Sequence, residues 1–85
     1  MPLQSGSVVE VQASRKLAIV EHSNSMFGVI GWVEGTPVDV GHLVLGDMGA
    51  GGWSRLVNAS TGNGFQAYKH LHGCPQIDAQ VYCLP

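Results

Sequence analysis

Charge is what this chain has least of. Four Lys or Arg and six Asp or Glu among 85 residues make 12 per cent, against about 25 per cent in ordinary soluble domains. The net charge of -2 gives little attraction for phosphate groups, so nucleic acid is not an expected partner. Cysteine is scarce as well: Cys74 and Cys83, both within the last 12 residues, are too few for a disulfide scaffold. A reduced, cytoplasmic protein with two free thiols is the default expectation, with a Cys74–Cys83 bridge as the lesser alternative. No apolar run approaches the roughly 18 residues that span a bilayer, and Met1 to Gly6 shows neither a basic nor an apolar leader region, so no membrane or export is expected.

Length excludes a second domain and reads residues 1–85 as one. A domain of this size hides only about 60 to 65 per cent of its unfolded surface, which leaves a monomer marginal. Sparse charge gives too little polar surface to cover such a monomer, and the chain is expected to act as a homo-oligomer.

What is present is valine, 11 of them, in short runs cut by Gly, Pro, Asn and Asp. That is the punctuation of an all-β domain. Val8 to Ala13 and Leu17 to His22 flank Ser14-Arg15-Lys16 as an antiparallel pair. Phe27 to Val33 reads as a third strand, apolar on both faces, with Phe27, Val29 and Val33 on one and Ile30 and Trp32 on the other. Gly28 and Gly31 mark where it should bulge or bend and curl a sheet toward a barrel. Val38 to His42 leads into a strand at Leu43-Val44-Leu45, and the glycine-rich run Gly46 to Gly52 reads as a loop. Trp53 to Ala59 and Phe65 to His70 flank Ser60-Thr61-Gly62-Asn63-Gly64, a second hairpin. Beyond Gly73, alternation favours a strand while Ile77, Val81 and Leu84 at i, i+4 and i+7 favour a helix; Pro75, suited to a helix start, tips the reading toward a short C-terminal helix. The expected fold is a small curled sheet or barrel of five to six strands, OB- or SH3-like in architecture.

The chemistry on offer is thin. His70, His72, Cys74 and Cys83 are the candidate metal ligands, since two His and two Cys can supply tetrahedral zinc, and on a regular strand His70 and His72 would share a face. Their spacing fits no established zinc site, and solvent-facing histidines with buried thiols are the expectation; no metal or other cofactor is. The glycine run lacks the Lys-Ser/Thr of a phosphate loop. Ser54, His42 and Asp47, or Cys74, His70 and Asp78, can be drawn as triads, but nothing in their spacing singles one out. Glu10, Glu21 and Glu34 read as solubilising residues. Asn58-Ala59-Ser60 fits a glycosylation sequon only if the chain is secreted. An enzyme is not expected.

Phe27, Trp32, Trp53, Phe65, Tyr68 and Tyr82, with Arg15, Lys16, Arg55 and Lys69, are the last constellation, read chiefly as core or subunit-interface aromatics. Short strands, a curled third strand and a late hairpin resemble an OB-fold or related small barrel, and that resemblance implies bases stacked on aromatics and backbones tracked by cations. The expected function is a small non-enzymatic module working as a homo-oligomer, structural or ligand-binding, with any cleft at subunit interfaces and with Trp32, Trp53, Arg55 and Tyr68 as the ligand-binding candidates. The alternative is OB-like binding of single-stranded nucleic acid.

Overall fold

The computed structural model describes residues 4–22, 26–35, 37–46 and 52–84. The expected turn at Ser23-Asn24-Ser25 and most of the glycine-rich run, including Asp47, lie outside the described residues. Strands β1 (Gln4–Gln12), β2 (Leu17–Glu21), β3 (Phe27–Gly31), β4 (Leu43–Gly46), β5 (Gly52–Asn58) and β6 (Asn63–Cys74) precede one helix, α1 (Gln76–Tyr82). The strands close into a barrel in the order β1-β2-β3-β6-β5-β4, and each neighbouring pair is antiparallel. The all-β fold with a short C-terminal helix is the one the sequence leads to expect, and the helical period of the tail prevails over its alternation.

Closure depends on residues without an apolar pattern. Gln4, Ser5, Gly6 and Ser7 pair with Gly46 back to Leu43, so β1 starts four residues before Val8. Backbone hydrogen bonds make this seam, and they are indifferent to side-chain hydropathy. β3 ends at Gly31; Trp32 turns out of the strand to lie buried, its indole N–H donating to Gly35 O at 2.8 Å, and Val33 is exposed. Val38 to His42 leads into β4 as expected, through a turn at Val40-Gly41, and is tied to β1 by Val8 N–H to His42 O at 2.9 Å and Gly41 N–H to Val8 O at 2.8 Å.

Alternation on β2 and β3 serves two cores. Ala18, Val20 and Ile30 point into the barrel with Val8, Val44, Leu56 and Ala67, while Trp32 and Val38 pack against the same cluster. Leu17, Ile19, Phe27 and Val29 point outward and are covered by Ala79 of α1 and by Cys83, the residue that caps its end. Apart from Val33, which lies beyond β3 and is exposed, the two apolar faces read for this segment are both buried within one chain, by the barrel on one side and the helix on the other.

The expected bulges fall on the opposite strand. Ile30 pairs with Lys69 and Val29 with Leu71, so His70 is an extra residue on β6; Phe27 pairs with Cys74, which adds another between Leu71 and Cys74. Gly28 and Gly31 make room for this irregular strand. A β-carbon at Gly31 would sit 2.7 Å from His70 Nε2, and one at Gly28 would sit 2.9 Å from Leu71 O. The bulge also reverses the inside-outside alternation, since Ala67 lies in the barrel core while Leu71 packs beneath α1.

Candidate functional site

The bulged part of β6 and the end of α1 build an aromatic cleft on the outside of the barrel. Trp53 and Tyr68 are direct cross-strand partners on β5 and β6 and meet edge to face, with centroids 5.3 Å apart. Tyr68 meets His70 at 4.9 Å, and His70 meets Tyr82 of α1 at 5.4 Å, so four rings run in contact from β5 to the helix. Edge-to-face pairs contribute about 0.5 to 1.5 kcal/mol beyond the area they bury. A hydrogen bond of 2.8 Å between His70 Nδ1 and the Tyr82 hydroxyl ties the bulge to the helix. Burial first, and then the Arg15 guanidinium, hold His70 below its ordinary pKa of 6.5, which favours the neutral ring.

Arg15 ends the 3-10 turn Ala13–Arg15 between β1 and β2, and Lys16 caps it. Lys16 takes the left-handed conformation at φ 54° that closes this turn, and its Nζ donates to Val33 O at 2.6 Å. Arg15 Nη1 donates to Tyr82 O at 3.3 Å and also to Leu84 O, where the carbonyls ending α1 favour a cation. The cleft enclosed by this turn, Gly31, Trp32 and the rings has a volume of about 440 Å³. Trp53 is 57 per cent exposed at its mouth and Trp32 only 7 per cent exposed beneath.

Three of the four ligand-binding candidates, Trp32, Trp53 and Tyr68, therefore line one cleft. Arg55 does not line it. It lies two residues beyond Trp53 on β5, pairs with Gln66 and spreads its guanidinium over Gly64, where a β-carbon would be 2.8 Å from Nη2. His70, Tyr82, Arg15 and Lys16 were not among the sequence candidates for ligand binding. Tyr82 reaches the cleft only because α1 folds back over β3, and His70 only because it is bulged.

His70, His72, Cys74 and Cys83 do not converge. The bulges separate the histidines, so His72 meets His22 edge to face at 5.3 Å while His70 faces Tyr82. Cys74 Sγ donates to Phe27 O at 3.2 Å, and Cys83 is buried beneath α1; both thiols are free. Burial pushes both thiols above their ordinary pKa, helped by Asp78 at Cys74 and by Glu10 at Cys83. Among the described residues no group of three His, Cys, Asp or Glu is placed to hold a metal ion. No helix among them is long and apolar enough to cross a membrane.

The remaining constellations have local roles. His42 bonds Asn58, and its drawn partner Asp47 lies outside the described residues. His70 and Cys74 point to Tyr82 and Phe27, and Glu10, Glu21 and Glu34 are exposed. Asn58 of the sequon is 0 per cent exposed, so its amide is unavailable for glycosylation in the folded chain. Searches of protein-family models, curated proteins and solved structures find no match to this chain.

Proposed function

We propose that the protein is a small non-enzymatic binding module that works as a homo-oligomer and holds a planar ring against the Trp53–Tyr68 pair. The supporting observation is the exposure of Trp53 at the mouth of a cleft walled by further rings and bordered by two cations. An apolar, polarisable wall favours stacking, and a guanidinium at its edge favours a carbonyl or anionic substituent on the ring. The ligand class is thus a flat heteroaromatic carrying an acceptor group. Self-association rests on the scarcity of charge, 12 per cent of the chain.

The chain has two tryptophans, and only Trp53 faces solvent, so emission from a Trp32→Phe variant reports on the cleft. Titration with adenosine and with adenosine monophosphate should give saturable quenching, tighter for the phosphate. Trp53→Leu in the wild-type background should abolish the binding when it is followed by calorimetry. No saturable signal up to millimolar concentrations of either probe removes this ligand class. Light scattering across a dilution series tests the assembly; a monodisperse 9.0 kDa species at micromolar concentration contradicts it.

A second reading, OB-like binding of single-stranded nucleic acid, is supported by one arrangement. Trp53 and Arg55 alternate on the outer face of β5, with Tyr68 beside them, so successive bases could stack while Arg55 meets a phosphate. The net charge of -2 opposes it. Anisotropy of labelled oligothymidine decides between the readings: submicromolar, salt-dependent binding at physiological salt, weakened by Arg55→Ala, favours the strand over the single ring.

A further inference from the structure

The two ring nitrogens of His70 are placed differently. Nδ1 meets the Tyr82 hydroxyl at 2.8 Å, whereas no hydrogen-bonding group among the described residues reaches Nε2. No buried side-chain nitrogen or oxygen among those residues lacks a partner, so Nε2 is open to solvent. The bulge puts it there. As the extra residue of β6 opposite Val29 and Ile30, His70 leans its ring over Gly31, where a β-carbon would stand 2.7 Å from Nε2. Nε2 thus takes the space that a side chain on β3 would fill, and His70 and Gly31 both line the aromatic cleft.

The cleft is one-sided in charge. The titratable groups that line it with His70 are Arg15 and Lys16 from the turn between β1 and β2, Tyr68 from β6 and Tyr82 from α1; β2, β3 and β5 add only uncharged side chains. No carboxylate lines it. The acids that act on neighbouring groups, Asp78 on Cys74 and Glu10 on Cys83, are outside its lining. Both cations already serve backbone carbonyls, Arg15 those of Tyr82 and Leu84 and Lys16 that of Val33. Nε2 has no such tie.

We infer that His70 Nε2 is the atom that reads the acceptor group of the bound ring, and that an anionic ring enters the cleft together with a proton taken up by this imidazole. The inference rests on the reading of the cleft as a site for flat heteroaromatics and names the residue that selects among them. Burial first, and then Arg15, hold His70 below its ordinary pKa of 6.5. An anion between Nε2 and Arg15 offsets the repulsion and accepts a charge-assisted hydrogen bond, so the protonated ring becomes the favoured one. Proton and anion then strengthen each other by the same factor. A neutral ring gains nothing from the proton, and discrimination between the two should grow as pH falls.

Calorimetry of the full chain with adenosine and with adenosine 5′-carboxylate tests this between pH 8 and pH 6. The carboxylate keeps its charge over this range, whereas the second ionisation of a phosphate monoester falls near pH 6 and would confuse the result. Adenosine 5′-carboxylate should bind at least about fivefold tighter at pH 6 than at pH 8, with proton uptake shown by buffers of unlike ionisation enthalpy. Adenosine should show neither effect. His70→Gln should abolish the pH dependence for the carboxylate, and far-ultraviolet circular dichroism checks that the variant is folded. A second readout needs no variant: by nuclear magnetic resonance the wild-type His70 ring should titrate at higher pH when saturated with the carboxylate. Equal affinity at both pH values, an unmoved His70 titration or a preference for adenosine overturns the inference while the ring-binding reading stands. Binding of neither compound up to millimolar concentration overturns both.

Discussion

Asn58 Nδ2 donates to His42 Nδ1 at 2.9 Å, and through this contact a wholly buried amide clamps the turn before β4 to the hairpin after β5. The same Nδ2 donates to Pro37 O at 2.9 Å, while Oδ1 accepts from Ser60 N–H at 2.9 Å and Thr61 N–H at 3.3 Å. Asp39 N–H also donates to His42 Nδ1, at 3.0 Å. A backbone N–H can only donate, so Nδ1 is the acceptor and the imidazole carries its proton on Nε2. Removing the amide takes its partner from the half-buried Pro37 O and from the Ser60 N–H, while His42 Nδ1 keeps Asp39 N–H and Thr61 N–H keeps Asn58 O; each buried group left unsatisfied costs about 1 to 3 kcal/mol.

Asn58→Ala should therefore lower the unfolding free energy by about 2 to 4 kcal/mol in urea. Asn58→Asp should cost at least as much. Its carboxylate can still accept from Ser60 and Thr61 but turns an acceptor toward Pro37 O and His42 Nδ1. A loss below about 0.5 kcal/mol for Asn58→Ala would show that the clamp contributes no more than a surface residue.

Gly28→Ala should destabilise the seam between β3 and β6. Its β-carbon would stand 2.9 Å from the backbone oxygen of Leu71, which cannot turn aside as a side chain can. Overpacking of this kind costs about 1 to 3 kcal/mol. Gly31→Ala meets the His70 ring instead, at 2.7 Å from Nε2. It should displace that ring from Tyr82 and open the aromatic cleft, an effect visible as altered His70 and Tyr82 resonances. Unchanged resonances in Gly31→Ala would mean that the close approach is relieved elsewhere.

Acid should weaken the fold through His70. The folded protein holds this ring below its ordinary pKa of 6.5, by burial first and then by Arg15, so the unfolded chain binds the proton more readily. Stability is therefore full above the unfolded value and declines as pH falls through it toward the folded one. Between about pH 7.5 and about pH 5.5 the unfolding free energy of wild type should fall more steeply than that of His70→Gln. Parallel profiles for the two proteins would remove His70 as the cause.

Both thiols should be slow to react with a disulfide reagent at pH 8, at least about tenfold slower than in urea, because burial keeps them protonated. Cys74, half-buried at the end of β6, should precede Cys83, which is 5 per cent exposed beneath α1. A native rate equal to the rate in urea at either residue contradicts this.

Local pattern was enough for the strand character of the chain and for its second hairpin. Valine runs with period 2 between turn residues specify β-strands wherever they occur. Ala59 to Gly62 form the turn between β5 and β6 because Asn58, Ser60 and Thr61 supply its hydrogen bonds from within the segment. Pro75 opens a helix by fixing its own φ at -64°. The two-faced apolar character of Phe27 to Ile30 was likewise legible, because burial on both sides leaves no polar alternation. None of these needs a distant partner.

Everything that makes the cleft does need one. The extra residue at His70 exists only relative to the register of β3, and it moves His70 to Tyr82 while His72 goes to His22. Barrel closure recruits Gln4 to Ser7 through backbone hydrogen bonds, which leave no trace in hydropathy. The outward ridge of Ile77, Val81 and Leu84 has the spacing of an ordinary buried helix face. Which side of that helix meets the barrel was decided by the volume already filled by Leu17, Ile19, Phe27 and Val29, a packing constraint that only the assembled tertiary structure imposes.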